Sequence, residues 1–212
     1  MTRTELLRQV AASVPVGVGV RVGVDGVDGS GKTVFADELA DRLREDGRPV
    51  VRVSVDDFHH PRAIRYRRGR DSAEGYWRDA FDYVRLRADV LEPLGPGGSR
   101  CYRPAAHDLA GDRVLHPAPE VAAPDAVLIM DGVFLHRDEL ADVWTFSVFL
   151  DVPFDVTARR MAVRDGSPPD PEHASLRRYI EAQRHYLRTC TPRHRASVVV
   201  DNAVLDAPRL VG

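Results

Sequence analysis

Three patterns follow one another between Val16 and Glu45. Valine occupies every second position from Val16 to Val24, which is the two-residue period of a strand. Gly26-Val-Asp-Gly-Ser-Gly-Lys-Thr33 comes next. After it Phe35, Leu39, Ala40 and Leu43 repeat at helical spacing until Gly47. A buried strand that feeds a glycine turn and opens directly into a helix is the start of an α/β unit, and it puts the turn at a strand's carboxyl end.

The rest of the chain repeats this alternation. Pro49 to Val55 reads as a second strand ending at Asp56-Asp57. Ala126 to Asp131 and Thr145 to Asp151 are short apolar runs ending in aspartate, the look of parallel strands buried on both faces, and Ala196 to Asp201 supplies a fifth. Helical patterning occupies Tyr83 to Leu91, Pro153 to Arg164 and Pro171 to Arg188. The expectation is a three-layer α/β fold: one domain over residues 1–212, with a five-stranded parallel sheet and helices on both faces. Two irregular stretches, about 58–83 and the proline-rich 93–124, are too long for plain connections and read as lids or binding surfaces.

Composition narrows the partners. Thirty basic residues against 32 acidic ones leave a formal charge of -2, so no global attraction to nucleic acid or to an anionic membrane is expected, and any phosphate binding has to be local. Two cysteines are too few for a disulfide scaffold, and no run of 18 apolar residues occurs. A cytoplasmic, soluble protein is expected, and a homo-oligomer is compatible with the sequence.

Gly26-x-x-x-x-Gly31-Lys32-Thr33 matches the phosphate-binding (Walker A) pattern in the context its mechanism needs. Backbone amides of Gly26, Val27, Asp28, Gly29, Ser30 and Gly31 can converge on phosphate oxygens, and the helix N-terminus adds a positive dipole end. Lys32 reaches the terminal phosphates, and the Thr33 hydroxyl takes a place on magnesium. Lys32 is also the only lysine of the chain. Asp56 and Asp57 deliver carboxylates at the end of the second strand, where a kinase needs one to orient an acceptor hydroxyl and take its proton. Asp131 stands at the end of the third, where such proteins place the acid that orders magnesium and its water. No Asn-Lys-x-Asp segment for reading guanine is present. Arg159, Arg160 and Arg164 follow the fourth strand, and Arg160 and Arg164 share one helix face, from which they can clamp phosphates.

On these residues the chain resembles the uridine kinase family of phosphate-loop kinases, which also contains phosphoribulokinase and pantothenate kinase relatives. The likeness runs from about Val20 to Asn202. Ser54-Val-Asp-Asp-Phe-His59 is similar to the family segment carrying the catalytic aspartate, which implies Asp56 as the base and puts His59 where the family has a tyrosine near the sugar. Arg78-Asp-Ala-Phe-Asp82 is similar to the family's Pro-Asp-Ala-Phe-Asp block, and Tyr76 occupies the place of an aspartate that binds ribose hydroxyls. Tyr102 and His107 keep the five-residue separation of a tyrosine and histidine that hold the nucleoside base. Asp131-Gly132 replaces the usual Glu-Gly. Arg164-Asp165 matches the opening of the lid, about 164–172, which continues here as Gly-Ser-Pro-Pro-Asp-Pro instead of an Arg-Gly-Arg run.

The resemblance implies a phosphotransferase that moves the γ-phosphoryl of ATP, with Mg2+, to a hydroxyl of a small molecule, a pyrimidine nucleoside such as uridine or cytidine. Catalysis then falls to Asp56, Lys32 and Arg164; nucleotide binding to residues 26–33 and Arg160; metal binding to Thr33, Asp56 and Asp131; and acceptor binding to His59, Tyr76, Tyr102 and His107. The alternatives are a kinase for another alcohol, a sugar or a pantothenate-like compound, and a nucleotide-binding regulatory module.

Overall fold

The computed structural model describes residues 1–211. The strands of its central sheet are β1 (Arg21–Gly26), β2 (Val50–Ser54), β3 (Val127–Gly132), β4 (Phe146–Asp151), β5 (Val198–Asp201) and β6 (Arg209–Val211). Their spatial order is β6-β5-β4-β1-β3-β2. The first five are mutually parallel, and β6 adds antiparallel to β5 at the edge, so the described sheet has one strand more than the five expected. The Arg209-Leu-Val211 segment carries too short a period to be seen in the sequence as a strand.

The helices flanking the sheet are α1 (Arg3–Ser13), α2 (Lys32–Glu45), α3 (Ala73–Asp79), α4 (Phe154–Asp165) and α5 (Arg177–Cys190). Alternation along β3 sorts the core into two layers. Val127 and Ile129 join Val22, Val24 and the apolar stripes of α1 and α2 on one face. Leu128 and Met130 face the other way, toward Tyr76, Phe81, Phe134 and Tyr186.

The alternating valines do not all belong to β1. Val16 and Val18 are exposed, and the strand begins at Arg21 because Gly19 adopts φ +73° and turns the chain against Pro96. Within the strand Gly23 leaves room for the indole of Trp144, whose Nε1–H donates to the Leu135 carbonyl at 2.7 Å. Residues 58–83 are also more ordered than their composition suggests, with a helical turn at Arg62–Arg65 followed by α3. Between 93 and 124 lie two small antiparallel ladders, Cys101–Tyr102 with Glu120–Val121 and His107–Asp108 with Arg113–Val114. No helix among the described residues is long and apolar enough to cross a membrane.

Candidate active site

The carboxyl ends of the parallel strands meet at the glycine loop. The loop enters α2 through Gly31, whose φ of +92° and lack of a side-chain cap leave the first amides of α2 open toward the cavity. Gly29, at φ +76°, sits so close to α4 that a Cβ there would come within 2.7 Å of the Thr157 carbonyl. Around the loop the polar contacts are numerous. Asn202 Nδ2–H donates to the Ser30 carbonyl at 2.8 Å, while Arg160 reaches the Gly29 and Ser30 carbonyls and donates to those of Asn202 and Ala203. Arg160 thus braces the loop and lines the cavity beside it.

Lys32 projects back over its own loop, donating from Nζ to the Val27 carbonyl at 3.1 Å with Asp28 Oδ1 at 3.7 Å. The Thr33 hydroxyl donates to Asp131 Oδ2 at 2.7 Å, and Arg52 from β2 donates to Asp131 Oδ1 at 3.0 Å. The fold therefore brings Thr33 and the buried Asp131 into direct contact across 98 residues.

Asp56 follows the end of β2 in a short helical turn (Val55–Phe58) that Ser54 caps. Its side chain faces an open cavity, yet the protein walls strip enough hydration to push its pKa up to about 6. Lys32 pulls the value down, whereas Asp28, Asp131 and Asp57 push it up. These oxygen groups suit magnesium. Among the described residues no three His, Cys, Asp or Glu side chains form a metal cage. None is required for an ion that takes one or two carboxylates and completes its shell with phosphate oxygens and water.

Two cavities adjoin here. One, of about 990 Å³, is lined by Gly29, Gly31, Lys32, Thr33 and Arg160, with Val34, Val156 and Val163 as its apolar wall. The other, of about 310 Å³, is lined by Asp28, Asp56, His59, Tyr76 and Gln183. Met161 and Arg164 line both. Arg164 is exposed and paired with Asp165 at 2.8 Å, at the point where Gly166 (φ +76°) ends α4. The expected lid thus hangs from the rim shared by both cavities.

His59 and Tyr76 both reach the smaller cavity. His59 stacks on Phe81 with centroids 4.4 Å apart and donates Nδ1–H to the Asp56 carbonyl at 2.8 Å. Burial lowers its pKa to about 4, so the ring is neutral near pH 7. Tyr76 is buried against Phe134 and Tyr179, and burial holds its hydroxyl protonated.

Tyr102 and His107 are not brought to either cavity lining. The Tyr102 hydroxyl donates to Glu120 Oε2 at 2.7 Å across its ladder, and His107 Nε2 lies 3.2 Å from Asp112 Oδ1. Their segment docks behind the acidic turn through Ala106 N–H to the Asp57 carbonyl. In place of these two, the cavity draws on Arg65, Tyr66, Arg178, Tyr179 and Gln183. A sequence signal for part of this set exists. Tyr179, Gln183 and Tyr186 recur at i, i+4 and i+7, a polar-aromatic stripe on one face of α5.

Comparison with known proteins agrees with this geometry. The sequence pattern of the phosphoribulokinase / uridine kinase family matches residues 21–168. Rat nicotinamide riboside kinase 1 is 30% identical over 155 residues, 71% of this chain and 69% of its own length. A uridine kinase of Leuconostoc citreum is 28% identical over 181 residues, 81% and 77% of the two chains. A solved Bacillus stearothermophilus chain described as a possible uridine kinase superposes with a TM-score of 0.73 at 27% identity, covering 93% of this chain and 96% of that one. With a phosphate loop opening α2, acids ending two neighbouring strands and a sequence match over these same elements, the chain belongs to the phosphoribulokinase / uridine kinase family, as a phosphotransferase with a hydroxyl acceptor.

Proposed function

We propose that the protein transfers the γ-phosphoryl of Mg-ATP to a hydroxyl of a pyrimidine nucleoside, uridine or cytidine, bound in the smaller cavity. The observation that carries this reading is the junction of the two cavities at Arg164, with Lys32 and Thr33 on the nucleotide side and Asp56 on the acceptor side. Tyr66, Tyr76 and Tyr179 give the acceptor side flat apolar surface of the kind a nucleobase packs against. Relatives named for uridine and for nicotinamide riboside support a nucleoside acceptor.

In this reading Asp56 accepts the proton of the acceptor hydroxyl as its oxygen bonds to the γ-phosphorus and the bond to the departing ADP oxygen breaks. A carboxylate with a pKa near 6 is largely ionised at neutral pH and a better proton acceptor than an ordinary aspartate. Lys32 and Arg164 lower the energy of charge spread over the transferring oxygens. Magnesium, which Thr33, Asp131 and Asp56 would hold, supplies further charge neutralisation at the phosphates. Closure of residues 164–172 over the junction keeps water from the phosphoryl group.

The test is ADP production from Mg-ATP against uridine, cytidine, nicotinamide riboside, purine nucleosides, sugars and pantothenate, with wild type and Asp56→Asn side by side. Stimulation by uridine or cytidine that disappears in the variant is expected. Stimulation by nicotinamide riboside, a sugar or pantothenate alone reassigns the acceptor. A flat panel with intact ATP binding favours the nucleotide-binding regulatory module.

A further inference from the structure

A buried polar network ties the start of the glycine loop to α5 through the core. Asp25, the last residue before the glycine loop, is fully buried. Its Oδ1 accepts the Gly26 N–H at 2.7 Å. Its Oδ2 accepts the Tyr186 hydroxyl and His136 Nδ1–H, the latter at 2.6 Å. The chain of partners is complete. His136 Nε2 takes the Ser147 hydroxyl at 2.9 Å, Ser147 accepts Ser197 N–H at 3.2 Å, and the Tyr186 oxygen accepts His136 N–H at 3.0 Å. A buried carboxylate is a costly choice for a core, and here its bonds run to the first amide of the loop, to Tyr186 on α5 and to His136 beyond the end of β3.

One turn earlier on α5, Gln183 makes a second link. Its Oε1 accepts the Asp28 N–H at 2.9 Å and its Nε2 donates to Asp28 Oδ2 at 2.7 Å. Gln183 is itself 1% exposed. The helix is therefore fastened to the loop on both sides of Gly26, at Asp25 and at Asp28. The same helix supplies Arg178, Tyr179 and Gln183 to the acceptor cavity. Arg178 in turn donates to the carbonyls of Arg65, Gly69, Arg70 and Ser72, which holds the 65–72 segment onto α5.

We propose that Gln183 and Tyr186 are positioning residues that fix α5, and with it the acceptor cavity, in register with the phosphate loop. They set the line from acceptor hydroxyl to γ-phosphorus through the placement of α5, Tyr186 from outside both cavities and Gln183 from the wall of the smaller one. The proposal rests on the reading that the smaller cavity holds the acceptor. Misplacement by an ångström in such a reaction costs up to about a hundredfold in rate, so the link acts on turnover more than on binding.

Gln183→Met keeps side-chain volume while removing both bonds to Asp28, and Tyr186→Phe removes one bond to Asp25. Each is measured with Mg-ATP and the stimulating nucleoside, with rates normalised to nucleotide-binding sites so that unfolded protein does not count. In both variants transfer kcat falls by about tenfold to a hundredfold, the ATP KM stays within about threefold and a larger share of ADP forms without phosphorylated acceptor. In Tyr186→Phe, at a position that lines neither cavity, the acceptor KM also stays within about threefold. A second measurement needs no acceptor: deuterium exchange of α5 amides with and without a non-hydrolysable ATP analogue. In wild type, nucleotide slows exchange over Arg177–Tyr186; in Gln183→Met the analogue binds and the slowing is lost. Variants with wild-type kcat and coupling, or a wild-type α5 indifferent to nucleotide, overturn the proposal. A wild type that no nucleoside stimulates defeats the acceptor reading instead, and the exchange result still decides the link.

Discussion

The nucleotide side and the acceptor side of this site are built in opposite ways. Eight consecutive residues, Gly26 to Thr33, form most of the first, and their conformation is held by local backbone geometry plus a few partners such as Asn202 and Asp131. The second is gathered from the Asp56 turn, the Arg62–Arg65 turn, α3, the end of α4 and α5. In the proposed reading phosphate holding is encoded over one loop, whereas acceptor choice depends on how distant segments pack. On that reading either half can change without rebuilding the other.

A pair of substitutions breaks the comparison most directly. Lys32→Ala should reduce both ATP affinity and transfer. Asp56→Asn should lower transfer by about a hundredfold to ten-thousandfold while calorimetry finds ATP binding intact. Equal loss of ATP binding in both would mean that the two halves are not separable. Next in size is the pH response. Since Asp56 must be ionised to take a proton, kcat/KM for the acceptor should rise with pH and level off above about 6, falling about tenfold per unit below it. Asp56→Asn should lose that limb. His59, with its pKa lowered to about 4, should contribute no limb of its own between pH 5 and 8.

Tyr76→Phe sharpens the acceptor side further. Loss of one hydroxyl in the cavity should raise the acceptor KM by about twofold to tenfold and leave the ATP KM unchanged. Tyr102→Phe should alter neither KM, because its hydroxyl is committed to Glu120. A raised acceptor KM there would extend the acceptor side into the ladders. The smallest effect is on stability. The folded-state pKa of Asp56 lies above its unfolded value, so protonation favours the folded state and stability is lost as pH rises through about 6. Asp56→Asn should therefore melt roughly 1–3 °C higher than wild type at pH 7.5, with the gap closing at pH 4.

The same contrast explains what the sequence made legible. The five parallel strands, the glycine loop and the two strand-end acids are short-range patterns, and Asp56 and Asp131 stand where period and turn chemistry put them. Val16 and Val18 misled because alternation alone does not register the left-handed turn at Gly19. Arg65, Tyr66 and Arg178 went unseen because their roles come from packing between segments more than 100 residues apart. Tyr102 and His107 show the converse, since a matched spacing carries no information about which side chains the ladders consume. Asp25 ends its strand in the sequence as other aspartates do; only its partners, His136 beyond β3 and Tyr186 on α5, distinguish it.

Lys32 carries the chain's one side-chain primary amine, and it is largely covered, lying over the glycine loop. Amine-directed chemistry consequently has a single side-chain address in this molecule, and in the proposed reading bound nucleotide covers that address. On that reading, the extent of acylation at Lys32 by a small amine-selective reagent, read from the mass of its peptide, counts empty nucleotide sites without a second label or an engineered residue.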